Sequence, residues 1–385
     1  MKKFALTRSQ FIAGLGASAV LVLSKQSRAT HVRPSRRHAA GSDWELGPFS
    51  RIAIEPVIRP DPGAVFDCPM RRRPVHWMAA HTFNPASVVK DGKMVVLFRA
   101  EDDPDEKVIG FHTSRLGYAS SNDGEHFKVR SAPVLYPDKD SQKPAEWEGG
   151  CEDPRLCEGP DGTYYVTYTQ WNRQHVRLGL ATSRDLIHWR KHGSAFADSK
   201  YEQLATKSAA IIQKIDGGRM KAARINGKYW MVFGENQIHV ATSTNLINWS
   251  PVERSDGELF ALMSPRPFHF DSDLPEVGPP PLVTDKGIVM LYNGKNSESD
   301  ARRDPTIGAG AYSSGQALLD LNDPTKLLAR TDKPFIRPEL PFEKSGQYKA
   351  GTTFLEGLTY FRRKLFLYYG TADTYVALAV ADWHQ

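Results

Sequence analysis

Three stretches decide the fold: LGYASSNDGEHF (residues 116–127), LGLATSRDLIHW (178–189) and IHVATSTNLINW (238–249). Each has a short apolar lead, an Ala-Ser/Thr-Ser core, a polar turn with Asp or Asn, and an aromatic end. The copies start 62 and 60 residues apart. Working outward, each follows an apolar, aromatic run: KMVVLFRAED (93–102), GTYYVTYTQW (162–171) and GKYWMVFGEN (227–236). Two further runs of this kind are GIVMLYNGKN (287–296) and KLFLYYGTAD (364–373). All are rich in β-branched and aromatic residues and carry no helix-period stripe, so they read as strands. Asp91-Gly92, Asp161-Gly162 and Asn226-Gly227 mark hairpin turns before three of them. Five similar units over about residues 80–385 predict an all-β chain folded as a five-bladed β-propeller with a central cavity. SGQALLDLNDPTKLL (314–328) is read as strand, turn, strand, because Asp323-Pro324 interrupts it.

The N-terminus has a different character. Lys2, Lys3 and Arg8 precede an apolar run, Phe11 to Leu23, and Ser27-Arg28-Ala29 offers a small-x-small cleavage site. Residues 1–29 therefore read as a secretory signal peptide, residues 30–43 as a flexible linker, and residues 44–385 as one catalytic propeller domain. The expectation is an exported protein, periplasmic or secreted. Loss of Lys2, Lys3, Arg8, Lys25 and Arg28 brings the formal charge from +6 to +1. A nearly neutral mature chain does not point to nucleic acid or a membrane surface as partner. Export would permit a disulfide between Cys151 and Cys157, with Cys68 left over. The cysteine spacing fits no metal site, and no cofactor motif occurs; an acid pair at Asp271 and Asp273 is a weak cation signal.

Carboxylates recur where the units begin or end. Arg99, Glu101 and Asp102 follow the first apolar run, and Asp153 and Arg155 precede the second unit's run. Glu235, Glu276, Glu356 and Asp373 sit at corresponding places in later units. Each lies beside Gly or Pro or a strong apolar strand, as convergence on one cavity requires. Carboxylates with Arg, Trp and Tyr around a cavity are the composition of a sugar site. Cleaving a glycoside needs a carboxylic acid to protonate the leaving oxygen, and inversion needs a base on the opposite face. The acid's pKa is expected to be raised by burial or a nearby negative charge.

Five segments carry a resemblance: FNPASVVKDGKMVVLFRAEDD (83–103), GCEDPRL (150–156), RLGLATSRDLIHW (177–189), SDLPEVGPPPLVTDKGIVMLYNGKN (272–296) and TTFLEGLTYFRRKLFLYYGTADTYVALAVA (352–381). Together they resemble glycoside hydrolase family 130, the mannoside phosphorylases and β-1,2-mannosidases, from about Asp67 to the C-terminus. The resemblance implies a five-bladed propeller acting on mannose-containing oligosaccharides. It implies Asp153 as general acid, acting through a hydroxyl of the mannose. Glu235 and Glu276 match the pair that activates water in hydrolytic members. Asn84, Arg99, Glu101 and Asp102 match the mannose-binding motif, and Arg155, Arg177, Glu356, Tyr369 and Asp373 complete the expected substrate-binding set. Phosphorolytic members use basic side chains for phosphate instead, and Arg173, Arg177, Lys207, Lys221 and His239 are candidates for that role. Export favours free mannose as product, hence hydrolysis.

Overall fold

The five apolar runs become central strands with both faces buried, and that double burial sets the architecture. In the strand Lys93–Glu101, Met94, Val96 and Phe98 enter one hydrophobic cluster while Val95 and Leu97 enter another. Alternate side chains of a strand point to opposite faces, so a strand covered on both sides needs a continuous apolar run. This is why the runs lack polar alternation.

The computed structural model describes residues 42–102, 109–197 and 199–383. The expected signal peptide, and all of the expected linker but Ser42 and Asp43, lie outside the described residues. The described chain is β-structure with two short helical turns, Lys143–Glu146 and Pro341–Glu343. Val65–Cys68 and Arg73–His76 pair as a separate hairpin, and most of the other strands form five antiparallel four-stranded units. The first comprises His81–Lys90, Lys93–Glu101, Ser114–Ser121 and Lys128–Val129. The second comprises Gly150–Glu158, Tyr164–Trp171, Val176–Ser183 and Arg190–Ser194. The third is Ala209–Ile211, Lys228–Phe233, Ile238–Ser243 and Ser250–Pro251. The fourth is Leu282–Thr284, Gly287–Lys295, Tyr312–Leu319 and Leu327–Arg330, with Leu274–Val277 pairing further along its second strand. The fifth is Thr353–Phe361, Lys364–Thr371 and Tyr375–Asp382, completed by Ser50–Arg51 from the start of the described chain.

Five hydrophobic clusters lie between successive units. One joins Leu97 of the first to Val166 and Tyr168 of the second. Others join Leu180 to Phe233, Val232 to Met290, and Leu291 to Leu367. The last joins Phe366 and Tyr368 of the fifth unit to Val96 and Phe98 of the first. The order is cyclic, and the Ser50–Arg51 strand ties the two ends of the described chain into one sheet.

Local chemistry agrees with these elements. Asp91-Gly92 and Asn226-Gly227 both have two positive φ angles, at 50° and 73° and at 51° and 79°, which is the twist a two-residue hairpin needs. The repeated Ser-x-Asp/Asn turns are alike in atomic detail. Asp123, Asp185 and Asn245 each accept two backbone N–H bonds through one side-chain oxygen, and Ser121, Ser183 and Ser243 accept from the same turns. The stretch 314–328 is strand, turn, strand, as its sequence predicts.

Two features depart from expectation. A hairpin, Gln213–Asp216 with Arg219–Ala222, leaves the third unit and adds to the edge of the fourth through Gln213 and Leu282. Cys68, Cys151 and Cys157 are free thiols. Cys151 and Cys157 lie in one extended strand and in separate clusters. At about 3.3 Å per residue their spacing far exceeds the roughly 7 Å that a disulfide tolerates between Cα atoms.

The cyclic packing makes a direct prediction. Leu367→Ala, in the cluster between the fourth and fifth units, should cost about 2–5 kcal/mol. Leu328→Ala, at an exposed site, should cost little. Equal effects in denaturant titrations would contradict this account of the core.

Candidate active site

Three of the units open with a strand that breaks its register at a polar residue. Pairing shifts between Phe83 and Pro85, leaving Asn84 unpaired. It shifts between Glu152 and Arg155, leaving out Asp153, and between Leu355 and Gly357, leaving out Glu356. Asn84 and Asp153 take φ of 49° and 50°. Such bulges bend a strand and re-aim one side chain. Gly150 permits the close approach this requires, since a Cβ there would lie 2.1 Å from the Ser114 carbonyl oxygen.

Two of the re-aimed groups, Asn84 and Asp153, meet beside Arg99, whereas Glu356 lies against Arg155. Arg99 Nη1 donates to Asp153 Oδ1 at 3.0 Å. Arg99 Nη2 donates to Glu101 Oε1 at 2.6 Å and Glu152 Oε1 at 2.9 Å. Arg99 Nε donates to Ser114 Oγ at 3.1 Å. Asn84 Nδ2 donates to the same oxygen of Asp153 at 2.8 Å. All of these groups are buried. Gln347 reaches in to donate to Glu101 Oε2 at 3.2 Å and to the backbone oxygen of Asp373 at 2.9 Å.

A second group centres on Lys207. Its Nζ lies 3.3 Å from Glu235 Oε2 and 3.2 Å from Glu276 Oε1. Ser208 Oγ donates to Glu276 Oε1 at 2.6 Å. Glu235 and Glu276 are bridge partners between the third and fourth units. Glu276 is fully buried and its Oε2 accepts no hydrogen bond among the described residues, whereas the Glu235 side chain is 26% exposed.

The electrostatics separate these carboxyls. Burial pushes the Glu152 carboxyl up to about 7, aided by the neighbouring charges of Asp153 and Glu101 and opposed by Arg99. Burial also acts on Asp153, but Arg99, Lys207 and Arg155 outweigh it, and with the Asn84 hydrogen bond hold it at about 2. The elevation expected for the acid therefore falls, in the free protein, on its neighbour. Burial raises Asp373 to about 7, with Glu101 and Asp153 adding to it against Arg99. Burial raises Glu276 too, and the Glu235 charge adds to the effect against Lys207. Lys207 is desolvated, yet Glu235, Glu276 and Asp153 keep it firmly protonated.

Not every expected residue faces this cluster. Tyr369 is buried in the core between the fourth and fifth units and donates to Glu343 Oε1 at 2.9 Å. The alternation of its strand turns it there, opposite in face to Tyr368. Arg177 bonds the side chains of Gln170 and Gln142 at 2.9 and 3.1 Å and does not reach the acids. Asp102 turns to Arg115, 3.0 Å away, and to the backbone N–H of Thr113. Arg155 is a buried strut. It bonds the carbonyls of Val277 at 2.5 Å and Gly278 at 3.3 Å, and lies 3.0 Å from Glu356. That last contact lacks hydrogen-bond alignment, and burial holds the Glu356 carboxyl well above the usual range. Of the basic candidates for phosphate, Lys207 alone pairs with the acids. Arg173 pairs with Glu148, Lys221 lies 3.9 Å from Asp216, and His239 bonds the Phe260 carbonyl. Asp271 is taken up by Arg266, Arg330 and Tyr292, and Asp273 by Lys295, which leaves no cation site there. Glu152, Ser114, Ser208 and Gln347 were not singled out by the sequence as site residues; of these only Glu152, inside GCEDPRL, carried a motif.

The raised carboxyls predict a pH dependence. A Glu whose folded pKa is raised from 4.5 to about 7 gives stability that is complete below pH 4.5 and lost as pH rises through about 7. Glu152→Gln should remove part of that slope, on the order of 1–3 kcal/mol between those limits. Melting curves across this range test it, and an unchanged slope would refute a proton on Glu152.

Comparison with known proteins places this site in a family. The family model described as β-1,4-mannooligosaccharide phosphorylase, of glycoside hydrolase family 130, matches residues 50–385. A 1,2-β-oligomannan phosphorylase of Thermoanaerobacter sp. (strain X514) is 30% identical over 338 residues, covering 87% of this chain and 97% of that protein. The crystal structure of a putative glycosidase from Bacteroides thetaiotaomicron VPI-5482 superposes with TM-score 0.88 at 52% identity, covering 90% of this chain and 99% of that one. A second solved structure comes from work on glycoside hydrolases of this family that target β-1,2-mannosidic linkages in Candida mannan. It has TM-score 0.87 and 50% identity, covering 89% and 96% of the two chains. With its bulged acids, its arginine hub and a family match over nearly the whole described chain, this protein belongs to glycoside hydrolase family 130.

Proposed function

We propose that the protein is an inverting, exo-acting β-1,2-mannosidase that hydrolyses mannosides to free mannose. The five cyclic units close as a five-bladed propeller, and the acid cluster lies in its central cavity. The observation that carries the hydrolytic reading is the pairing of two carboxylates, Glu235 and Glu276, with the single cation Lys207. Two carboxylates sharing one cation oppose the approach of dianionic phosphate and offer an oxygen that can accept a proton from water. The relatives at 50–52% identity described as a putative glycosidase and as β-1,2-mannoside hydrolases support the same reading.

In this mechanism Asn84, Arg99, Glu101 and Asp373 hold the terminal mannose. Asp153 takes up a proton as sugar binding displaces water among its carboxylate neighbours. It then passes that proton to a mannose hydroxyl, which gives its own to the glycosidic oxygen as the bond to the anomeric carbon breaks. Water held by Glu235 and Glu276 attacks the opposite face. Its proton goes to Glu276, whose carboxyl burial makes more basic, through the oxygen that accepts no other bond. We also read the chain as exported, on the Phe11–Leu23 run.

Incubation of the protein with β-1,2-mannobiose, with and without phosphate, tests the reaction. Free mannose at equal rates in both conditions is expected. Mannose 1-phosphate formed only with phosphate would make the protein a phosphorylase. Asp153→Asn should lower kcat by at least about 100-fold with the melting temperature preserved. Export is checked separately: N-terminal sequencing of the protein from its native host should begin near residue 30, and retention of Met1 in a cytoplasmic fraction would exclude it.

A further inference from the structure

The hairpin that leaves the third unit, Gln213–Asp216 with Arg219–Ala222, reaches every other unit. Gln213 bridges to Leu282 of the fourth, and its backbone N–H donates to the Pro281 carbonyl at 2.8 Å. Gln213 Nε2 donates to the Leu156 carbonyl of the second at 3.0 Å. Arg219 Nη2 donates to the Val89 carbonyl of the first at 3.3 Å and to the Tyr164 hydroxyl of the second at 3.1 Å. It also lies 2.7 Å from Glu158 Oε2. Met220 is buried in the cluster that holds Leu282, Leu358 and Leu365, and its Sδ accepts from the Tyr360 N–H of the fifth unit at 3.1 Å.

These partners are not scattered. Val89, then Leu156 and Glu158, then Tyr360 lie in the three strands that carry the bulges at Asn84, Asp153 and Glu356. They stand three to five residues beyond the bulges, roughly 10–17 Å along each strand. Ser87 and Thr359 tie the first and last of these strands directly, through a hydrogen bond of 2.7 Å between their hydroxyls. Each strand opens its unit and is laddered along its length to one neighbour only, apart from the single bridge of Gly150 to Ser114. That one ladder is interrupted at the bulge. A strand so held can tilt or slide at the break, and an anchor beyond the break limits both. We propose that Gln213, Arg219 and Met220 are positioning residues: the hairpin clamps the far ends of the three bulged strands and so holds Asn84, Asp153 and Glu356 in aim.

The residue types suit a clamp. A guanidinium is a planar fork of donors, so Arg219 reaches a carbonyl, a hydroxyl and a carboxylate on two units at once. Gln213 and Met220 are buried while Lys214 and Asp216 are exposed, which gives the hairpin an inner and an outer side. Among the described residues, no bond of the hairpin reaches the strand of Arg99 and Glu101 or the turn of Asp373. The clamp therefore bears on the aim of Asp153 more than on the grip of Arg99 and Glu101 on the sugar. Its kinetic consequence rests on the proposed cleavage of mannosides, by water or by phosphate; its geometric consequence does not.

The test compares the full-length protein with Arg219→Ala, Arg219→Lys and a control, Arg184→Ala, at an exposed arginine of the second unit that pairs with Asp161. With β-1,2-mannobiose, Arg219→Ala should lower kcat about 10–100-fold and leave KM within about threefold. Arg219→Lys, which keeps a cationic donor for Glu158, should recover part of that loss, and Arg184→Ala should match the parent. Hydrogen exchange read by mass spectrometry should be faster in Arg219→Ala at residues 82–86 and 150–155, as well as at 213–222. If Arg219→Ala does not fold, Gln213→Ala, which removes the bond to the Leu156 carbonyl, takes its place in both measurements. A lowered melting temperature with kcat unchanged, or faster exchange confined to 213–222, would overturn the proposal. A parent that cleaves no mannobiose would count against the proposed activity instead, and the exchange pattern alone would then decide the clamp.

Discussion

Arg99 is the constraint on which the site depends. One guanidinium, buried among apolar strands, meets Asp153, Glu101 and Glu152 within 3.0 Å. Three buried carboxylates around one cation cannot all be ionised without large cost, because desolvation and mutual repulsion exceed what one arginine returns. The site resolves this by division. Asp153, which also has Asn84 and lies near Lys207, stays ionised, while Glu152 holds a proton to about neutral pH. The charge state of the free protein is therefore set within the cluster itself, before any ligand arrives.

That hub can exist only because the strands around it are pinned on both faces. Each unit's second strand gives alternate side chains to two clusters, and the last cluster joins the fifth unit to the first. A one-residue slip in any of these strands would exchange the two sets of side chains and misfit both neighbours at once. Polar groups are admitted where pairing is already broken, at the bulges. Asn84 precedes Pro85, Asp153 precedes Pro154 and Glu356 precedes Gly357. Proline removes a ladder donor and glycine tolerates the bend, so the residue types that break the ladder stand beside the residues that face inward.

This explains what could be read from the sequence. The units were legible because double burial writes itself as uninterrupted apolar runs, and the hairpins because Asp-Gly and Asn-Gly have few other uses. Asn84, Arg99, Glu101, Asp153, Glu235 and Glu276 were legible because each sits at a strand end or a break next to such a run. Tyr369 was misread because a tyrosine one residue away, Tyr368, enters a different cluster, and the parity of a strand shows only in its pairing. Arg177 was misread because an arginine beside a repeat motif looks the same whether it meets a sugar or two glutamines. Lys207 was legible only as one of several basic candidates for phosphate, not as the partner of Glu235 and Glu276, and Gln347 lies in a stretch without periodicity or motif. Their place is set by loop paths between units, which hydrophobic patterning does not record. The hairpin at 213–222 was hidden for the same reason, since its edge pairing to Leu282 is a non-local contact.

Lys207 links the two halves of this argument. It lies within 3.3 Å of both Glu235 and Glu276, and its charge also bears on Asp153 and Asp373. A lysine in an anion-binding pocket would be expected to face the incoming anion with its charge uncompensated. Here two carboxylates already share it, and Ser208 binds one of them. A phosphate entering would have to displace a carboxylate from this lysine, and for Glu276 would leave it unpaired where burial already disfavours its charged form. A water molecule asks for no such exchange. It needs an oxygen with a free lone pair, and Glu276 Oε2 is buried and accepts no hydrogen bond among the described residues. The proposed preference for water over phosphate thus rests on how many negative charges this one lysine is asked to hold.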